Sequence, residues 1–192
     1  MRHLLTWPAS LALLSLLLLP SVPARSPSTP QSAKAGERYP TTLSREIHHQ
    51  ILMLPFYSVF DFITFTLQGN KVTLSGQVLR HNLKNHAEVA LKSLEGVDTV
   101  VNTIEVLPAF PADDDLRRAI YRAIYEDPTL ARYGIPAIPE IHIIVNNGHV
   151  SLEGFVGSQA DKNLAAGCAG RVANVLGIKN NLVVLSKGIA AE

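Results

Sequence analysis

Three kinds of side chain in this sequence could carry chemistry. The histidines come first: His48-His49, His81, His86, His142 and His149. A metal needs several such ligands converging, and a helix supplies a pair at i, i+4. No pair here has that spacing, and none sits in an H-E-x-x-H arrangement. They are expected as solvated surface residues, with no metal. The acid run Asp113-Asp114-Asp115 comes second. Carboxylates can hold a hard cation, but just ahead of an apolar helical pattern they suit a helix cap and a complement to its dipole. The lone Cys168 is third. One cysteine forms no intramolecular disulfide and no multi-thiolate zinc site. It falls on an apolar helical stripe with no activating base close in sequence, so a small buried hydrophobe is expected. There is no G-x-x-x-x-G-K-[ST], no G-x-S-x-G and no Cys–His pair at a known spacing. No catalytic residue and no cofactor is expected, and enzyme activity has no visible basis.

One cluster rises above this background. Over residues 113–126, Leu116, Ala119, Ile120, Ala123 and Ile124 share a helical stripe. Arg117, Tyr121 and Tyr125 recur at i, i+4, i+8 on another face, flanked by Arg118 and Arg122. Bases beside aromatic rings suit an anionic lipid interface, at on the order of 1 kcal/mol per base near such a surface. The other reading is an ordinary solvated helix face whose tyrosines pack at its edge. Arg117, Arg118, Tyr121, Arg122 and Tyr125 are therefore the lipid-surface candidates.

The elements that must position them come in duplicate. VTLSGQV at 72–78 returns as VSLEGFV at 150–156. At the same offset of 78, Lys84 and Asn85 meet Lys162 and Asn163, Ala87 meets Ala165, and Asn102 meets Asn180. Upstream the offset is 73: Leu43, Ile47 and Ile51 correspond to Leu116, Ile120 and Ile124. The chain reads as a duplicated module with a short insert around 127–139, rich in proline. Each copy reads helix, strand, strand, helix, strand. In the first copy these are 43–54, 60–67, 71–79, 83–94 and 99–107. In the second they are 113–126, 140–145, 149–156, 159–173 and 177–185. Alternation places Gly76 and Gly154 on the helix-covered face of their strands, leaving room for a helix backbone or permitting a bulge. In the first copy, Ser44, His48 and Leu52 stand where Arg117, Tyr121 and Tyr125 stand in the second. The copies are expected to have diverged, the second being the better binder.

Length and charge set the outer limits. The chain has 192 residues and a formal net charge of +1. Removing the first 24 residues takes away one Arg and no acid, leaving 16 bases against 16 acids. Such a balance gives no bulk drive toward nucleic acid or acidic lipid, so any electrostatic partner would have to be read by a local patch. The N-terminus has Arg2 and His3, an apolar run over Ser10–Leu19, and small residues ending at Ala24. Residues 1–24 are expected to be a signal peptide, and 25–42, rich in Ser, Pro and Thr, a flexible linker. Export to the periplasm follows; the alternative is an uncleaved N-terminal anchor in the inner membrane.

The two V-x-L-x-G-x-V strands, the Lys-Asn helices and the Gly96-Val97…Val100-x-Asn102-x-Ile104-x-Val106 ending resemble the BON domain family over residues 43–185. The second copy departs at one point, with Asn174 in place of the glycine. The resemblance implies an α+β fold of two tandem αββαβ modules (43–108 and 112–186), each a three-stranded mixed sheet packed against two helices. It makes Gly76, Gly154, Asn102 and Asn180 structural motif residues. It further implies a non-catalytic protein similar to osmotically inducible periplasmic proteins. Such a protein would bind a membrane phospholipid surface or support the envelope under stress, or else act as a protein-interaction or chaperone-like module on envelope proteins. The acylated cysteine of the family's lipoproteins is missing here.

Overall fold

The computed structural model describes residues 41–185. The expected signal peptide, most of the expected linker and residues 186–192 lie outside the described residues. The first copy runs α1 (Thr42–Leu52), β1 (Phe62–Gln68), β2 (Lys71–Val78), α2 (His81–Lys92), β3 (Thr99–Asn102) and β4 (Glu105–Val106). The second runs α3 (Pro111–Tyr125), a 3-10 turn (Ala131–Gly134), β5 (Ile141–Asn146), β6 (His149–Val156), α4 (Gln159–Gly170), β7 (Gly177–Asn180) and β8 (Val183–Val184). In each copy the hairpin is antiparallel and the closing strand lies parallel to its second arm. The fold is therefore the expected α+β pair of αββαβ modules with mixed sheets.

Helix starts follow local chemistry. The Thr41 hydroxyl accepts from the Ser44 N–H at 3.0 Å, so α1 begins at a residue assigned above to the linker. α3 begins at Pro111, whose fixed φ and missing N–H suit a first turn. Asp113 is thus inside the helix and is not its cap. Its carboxylate accepts instead from the N–H groups of Asn147 (2.8 Å) and Gly148 (2.9 Å), holding the β5–β6 turn against α3. Asn147 and Gly148 both have positive φ, 50° and 76°, as a two-residue hairpin turn of this kind requires.

The closing strand, expected unbroken, is interrupted in both copies. The Asn102 side chain accepts from the Ile104 N–H at 3.2 Å and donates to the Lys84 carbonyl at 2.9 Å. Asn180 does the same with Leu182 (3.3 Å) and Lys162 (2.8 Å). Each asparagine turns the strand and ties the break to the second helix of its module. Both breaks leave β4 and β8 still paired to the hairpin.

The motif glycines have a different reason from the one expected. Gly76 and Gly154 have φ of +121° and +108°. A Cβ would stand 2.0 Å from the carbonyl oxygen of Phe62 or of Glu140 respectively. Neighbouring strand, not helix, excludes the side chain. The β1–β2 register runs through Gly76 without an inserted residue, so no bulge is present there. The departure at Asn174 is also resolved. Its φ is +68°, where Gly96 has +86°, and asparagine tolerates that left-handed region better than most side chains.

Two apolar cores result. Ile47, Ile51, Val72, Leu74, Leu83 and Leu91 anchor the first; Leu116, Ile120, Ile124, Ile141, Ile143 and Leu152 anchor the second. Cys168 is fully buried in the second, as expected of a small hydrophobe. The modules exchange residues across their joint. Val59, from the loop after α1, is buried in the second core, and Ile138, from the insert, packs on the first. The insert is also tied down. The Tyr133 hydroxyl donates to Asp161 at 2.9 Å and accepts from the Gly157 N–H at 2.7 Å, while Arg132 pairs with Asp161 at 2.7 Å. Burial would raise the Asp161 pKa. The hydroxyls of Ser158 and Tyr133 and the Arg132 guanidinium together outweigh it and hold the carboxyl below its ordinary value.

Candidate functional site

The helix singled out by sequence is α3, and its buried stripe is the expected one except at Ala119, which is only partly buried. Leu116, Ile120 and Ile124 lie in the core, with Ala123 packed against it. The Arg117–Tyr121–Tyr125 row does not face solvent as a basic surface. Arg117 is only 2% exposed. Its guanidinium donates to the Val145 carbonyl and to Asp114, each at 2.5 Å. Tyr125 donates to the Ile141 carbonyl at 2.6 Å, and burial pushes its phenol well above the usual pKa. Between them, the Ile143 N–H donates to the Val59 carbonyl at 2.8 Å. All three groups belong to β5, whose other edge is paired to β6. Arg117 and Tyr125 thus cap an open strand edge from two turns of α3, and the first module completes the cover between them. A strand edge left bare presents unpaired backbone groups to any passing chain. Covering it is a structural duty, and Arg117 and Tyr125 leave the lipid-surface set for that reason.

Three candidates remain outside. Arg118 pairs with Asp115 one turn back, both well exposed. Arg122 is exposed. Tyr121 is 37% exposed, its ring 4.8 Å from Tyr125 and 6.1 Å from Phe60. An exposed pair such as Arg118–Asp115 contributes little and halves the free positive charge of this face.

The histidines divide. His49, His81, His86 and His149 are exposed as expected. His142 is not: it is 7% exposed, wedged at the joint with ring centroids 5.6 Å from Tyr57 and 5.5 Å from Phe62. Burial pulls its pKa down to about 4. His48 adds to the shift, and the backbone of Asp61 and Ser58 opposes it. Its Nδ1 has no hydrogen-bond partner. The alternation of β5 could have placed His142 opposite the core, but nothing in the sequence says that a second module covers that face. No group of three His, Cys, Asp or Glu able to hold a metal occurs among the described residues.

Sequence reasoning missed an apolar concavity on the second module. An apolar groove of about 800 Å³ runs between the first half of α3, the β5–β6 turn and the segment after α4. Phe110 (46% exposed) and Leu176 (72% exposed) stand on its two sides, with Leu116, Ala119 and Val172 also lining it. The first copy builds this region differently. α3 carries an extra N-terminal turn relative to α1, and Asp98 stands where Leu176 stands. The signal was present in the sequence as Phe110-Pro111 ahead of the helix and as a leucine replacing an aspartate at the 78-residue offset.

Compared with known families, residues 60–108 and 112–186 each match the model described as BON domain. No curated protein matches the chain. Among solved structures, one of CdsD, a structural protein of the type III secretion system of Chlamydia trachomatis, is 15% identical with a TM-score of 0.29, covering 77% of this chain and 94% of that one. A structure of the C-terminal domain of CdsD from the same organism is 14% identical with a TM-score of 0.27, covering 75% and 98%. Likenesses at that level bear no weight for function.

Proposed function

This chain belongs to the BON domain family, and from that premise we propose that it acts by binding, as a non-catalytic protein-interaction module of the cell envelope. BON domains are generally binding modules without enzymatic activity and occur in periplasmic and envelope proteins. No helix among the described residues is long and apolar enough to cross a membrane. The observation that carries the reading is the groove of the second module. A monomer rarely leaves a large apolar concavity flanked by two exposed large side chains unless something fits it. The experiment is capture from an envelope extract by the exported protein and by its Leu176→Asp variant. The reading expects partners that are held by the first and lost by the second. Identical captures would sink it.

A second reading keeps the lipid surface, on the observation that Arg118, Tyr121 and Arg122 remain exposed and adjacent on α3. Co-sedimentation with phosphatidylglycerol vesicles at low salt tests it. Loss of sedimentation in Arg118→Ala/Arg122→Ala, with no effect of Leu176→Asp, would favour lipid over protein.

A further inference from the structure

The joint between the modules closes around a titratable ring. β5 turns Ile141, Ile143 and Val145 into the second core, so His142 lies on the opposite face. There the rings of Tyr57 and Phe62, both from the first module, shut it from water. A crevice of about 150 Å³ runs along the same seam, lined by His48, Tyr57, Phe62, Glu140, His142 and Phe155 among others. The Nδ1 of His142 has no hydrogen-bond partner. The titratable groups around it do not receive a proton charge there. From α1, His48 opposes one. From the loop before β1, Tyr57 accepts the Ile63 N–H through its hydroxyl, and the buried Asp61 carboxylate accepts from Ser58 and from the Leu79 N–H. From β6, Glu153 stands opposite His142 in register and accepts from Asn181 at 2.6 Å. Glu140 lines the crevice two residues before the ring. Among the described residues, none of these carboxylates forms an ion pair with His142. The backbone of Ser58 and Asp61 favours the proton, and burial outweighs it. The first copy has Thr64 at this position, exposed, so the buried ring belongs to the second copy alone.

The same seam supplies part of the second module's cover. One residue along from His142, the Ile143 N–H donates to the Val59 carbonyl, and the Val59 side chain is buried in the second core. A proton on His142 places an unpaired cation between the modules, and that cost is relieved once water reaches the ring. Each module has helices, a sheet and a core of its own, so the seam can part without either core dissolving. We propose that His142 is an acid-operated latch on the joint. Its protonation parts residues 57–62 of the first module from β5, with both modules still folded, and bares the Ile143 N–H in the middle of that strand edge. An edge bared in this way can take up an extended strand. The latch is independent of the groove beside α3, which lies on other residues.

The test is amide hydrogen exchange by NMR on the exported protein at pH 7 and pH 5, each rate divided by the intrinsic rate at that pH. Ile143 reports the joint, and Ile120, fully buried on α3, reports the second module itself. In the wild type, protection at Ile143 is expected to fall at least tenfold from pH 7 to pH 5 and to stay below that at Ile120. Far-UV circular dichroism is expected to be the same at both pH values. His142→Phe keeps a ring in the seam without a proton site, and its Ile143 protection is expected to hold level. His142→Leu serves the same purpose if the larger ring is not accommodated. His48→Gln is expected to retain the fall, since the titrating group is His142. Unchanged protection at Ile143 in the wild type overturns the latch. So does an equal fall in the wild type and in a folded His142 variant, or loss of the fall in His48→Gln. Equal protection at Ile143 and Ile120 at pH 5 would mean that acid unfolds the module as a whole, and overturns it too.

Discussion

His142 makes the joint between modules sensitive to acid, and the size of the effect follows from its burial. The folded-state pKa is about 4 against an ordinary value of 6.5. A depressed histidine binds its proton more readily in the unfolded chain, so stability is fully present above pH 6.5 and is lost as pH falls toward 4. The full loss is about 3 kcal/mol, at 1.36 kcal/mol per unit. About 2 kcal/mol of it falls between pH 7 and pH 5, a window that lies above most carboxylate titrations. Urea unfolding at pH 7 and pH 5, followed by circular dichroism, measures this loss. His142→Phe keeps a ring between Tyr57 and Phe62 and removes the proton site, so its stability should be flat across the window. A carbon-bound proton titration of the His142 ring by NMR reads the pKa itself. An equal loss in wild type and His142→Phe, or a ring that titrates near 6.5, would refute the reasoning.

Other outcomes follow from the same structure. Arg117→Ala should cost roughly 3 kcal/mol, because it strips the Val145 carbonyl of its partner and opens a buried site; Arg122→Ala should change stability by under about 0.5 kcal/mol. Thermal melts of the two variants separate them, and equal melting temperatures would return Arg117 to the surface. Gly154→Ala forces a Cβ against the Glu140 carbonyl at a positive φ and should cost about 3 kcal/mol or more in urea unfolding. Asn180→Ala leaves the Lys162 carbonyl and the Leu182 N–H without their side-chain partner and should cost about 1–3 kcal/mol, with amide exchange at Leu182 rising first.

Architecture was legible because it rests on periodicity. The 78-residue offset, the alternation in β2 and β6 and the apolar stripe of α3 report burial directly, and the modules follow from them. Asn102 and Asn180 were visible as a recurring pair, though not as the cause of the strand breaks. The site was less legible, since a helical wheel shows which residues share a face and not what that face meets. Arg117, Tyr121 and Tyr125 share one, but β5 runs beneath it, and burial of a long basic side chain depends on a carbonyl 28 residues away. His142 failed for a related reason: the surface that covers it comes from the other module.

The bond from the Ile143 N–H to the Val59 carbonyl has a consequence for dissection of the protein. The family-model boundary between 108 and 112 is a natural place to cut, and two similar halves invite it. The cut would not yield two equivalent pieces. A fragment beginning at 112 loses Val59 from its core and the acceptor for the middle of β5, leaving a hydrophobic strand with a gap in its cover. Such a fragment should pair with itself through that strand and come out of solution, whereas one extended to carry residues 57–61 in trans or by fusion should stay monomeric. The duplication has ceased to be a repeat in the folding sense: one copy has become part of the other's fabric.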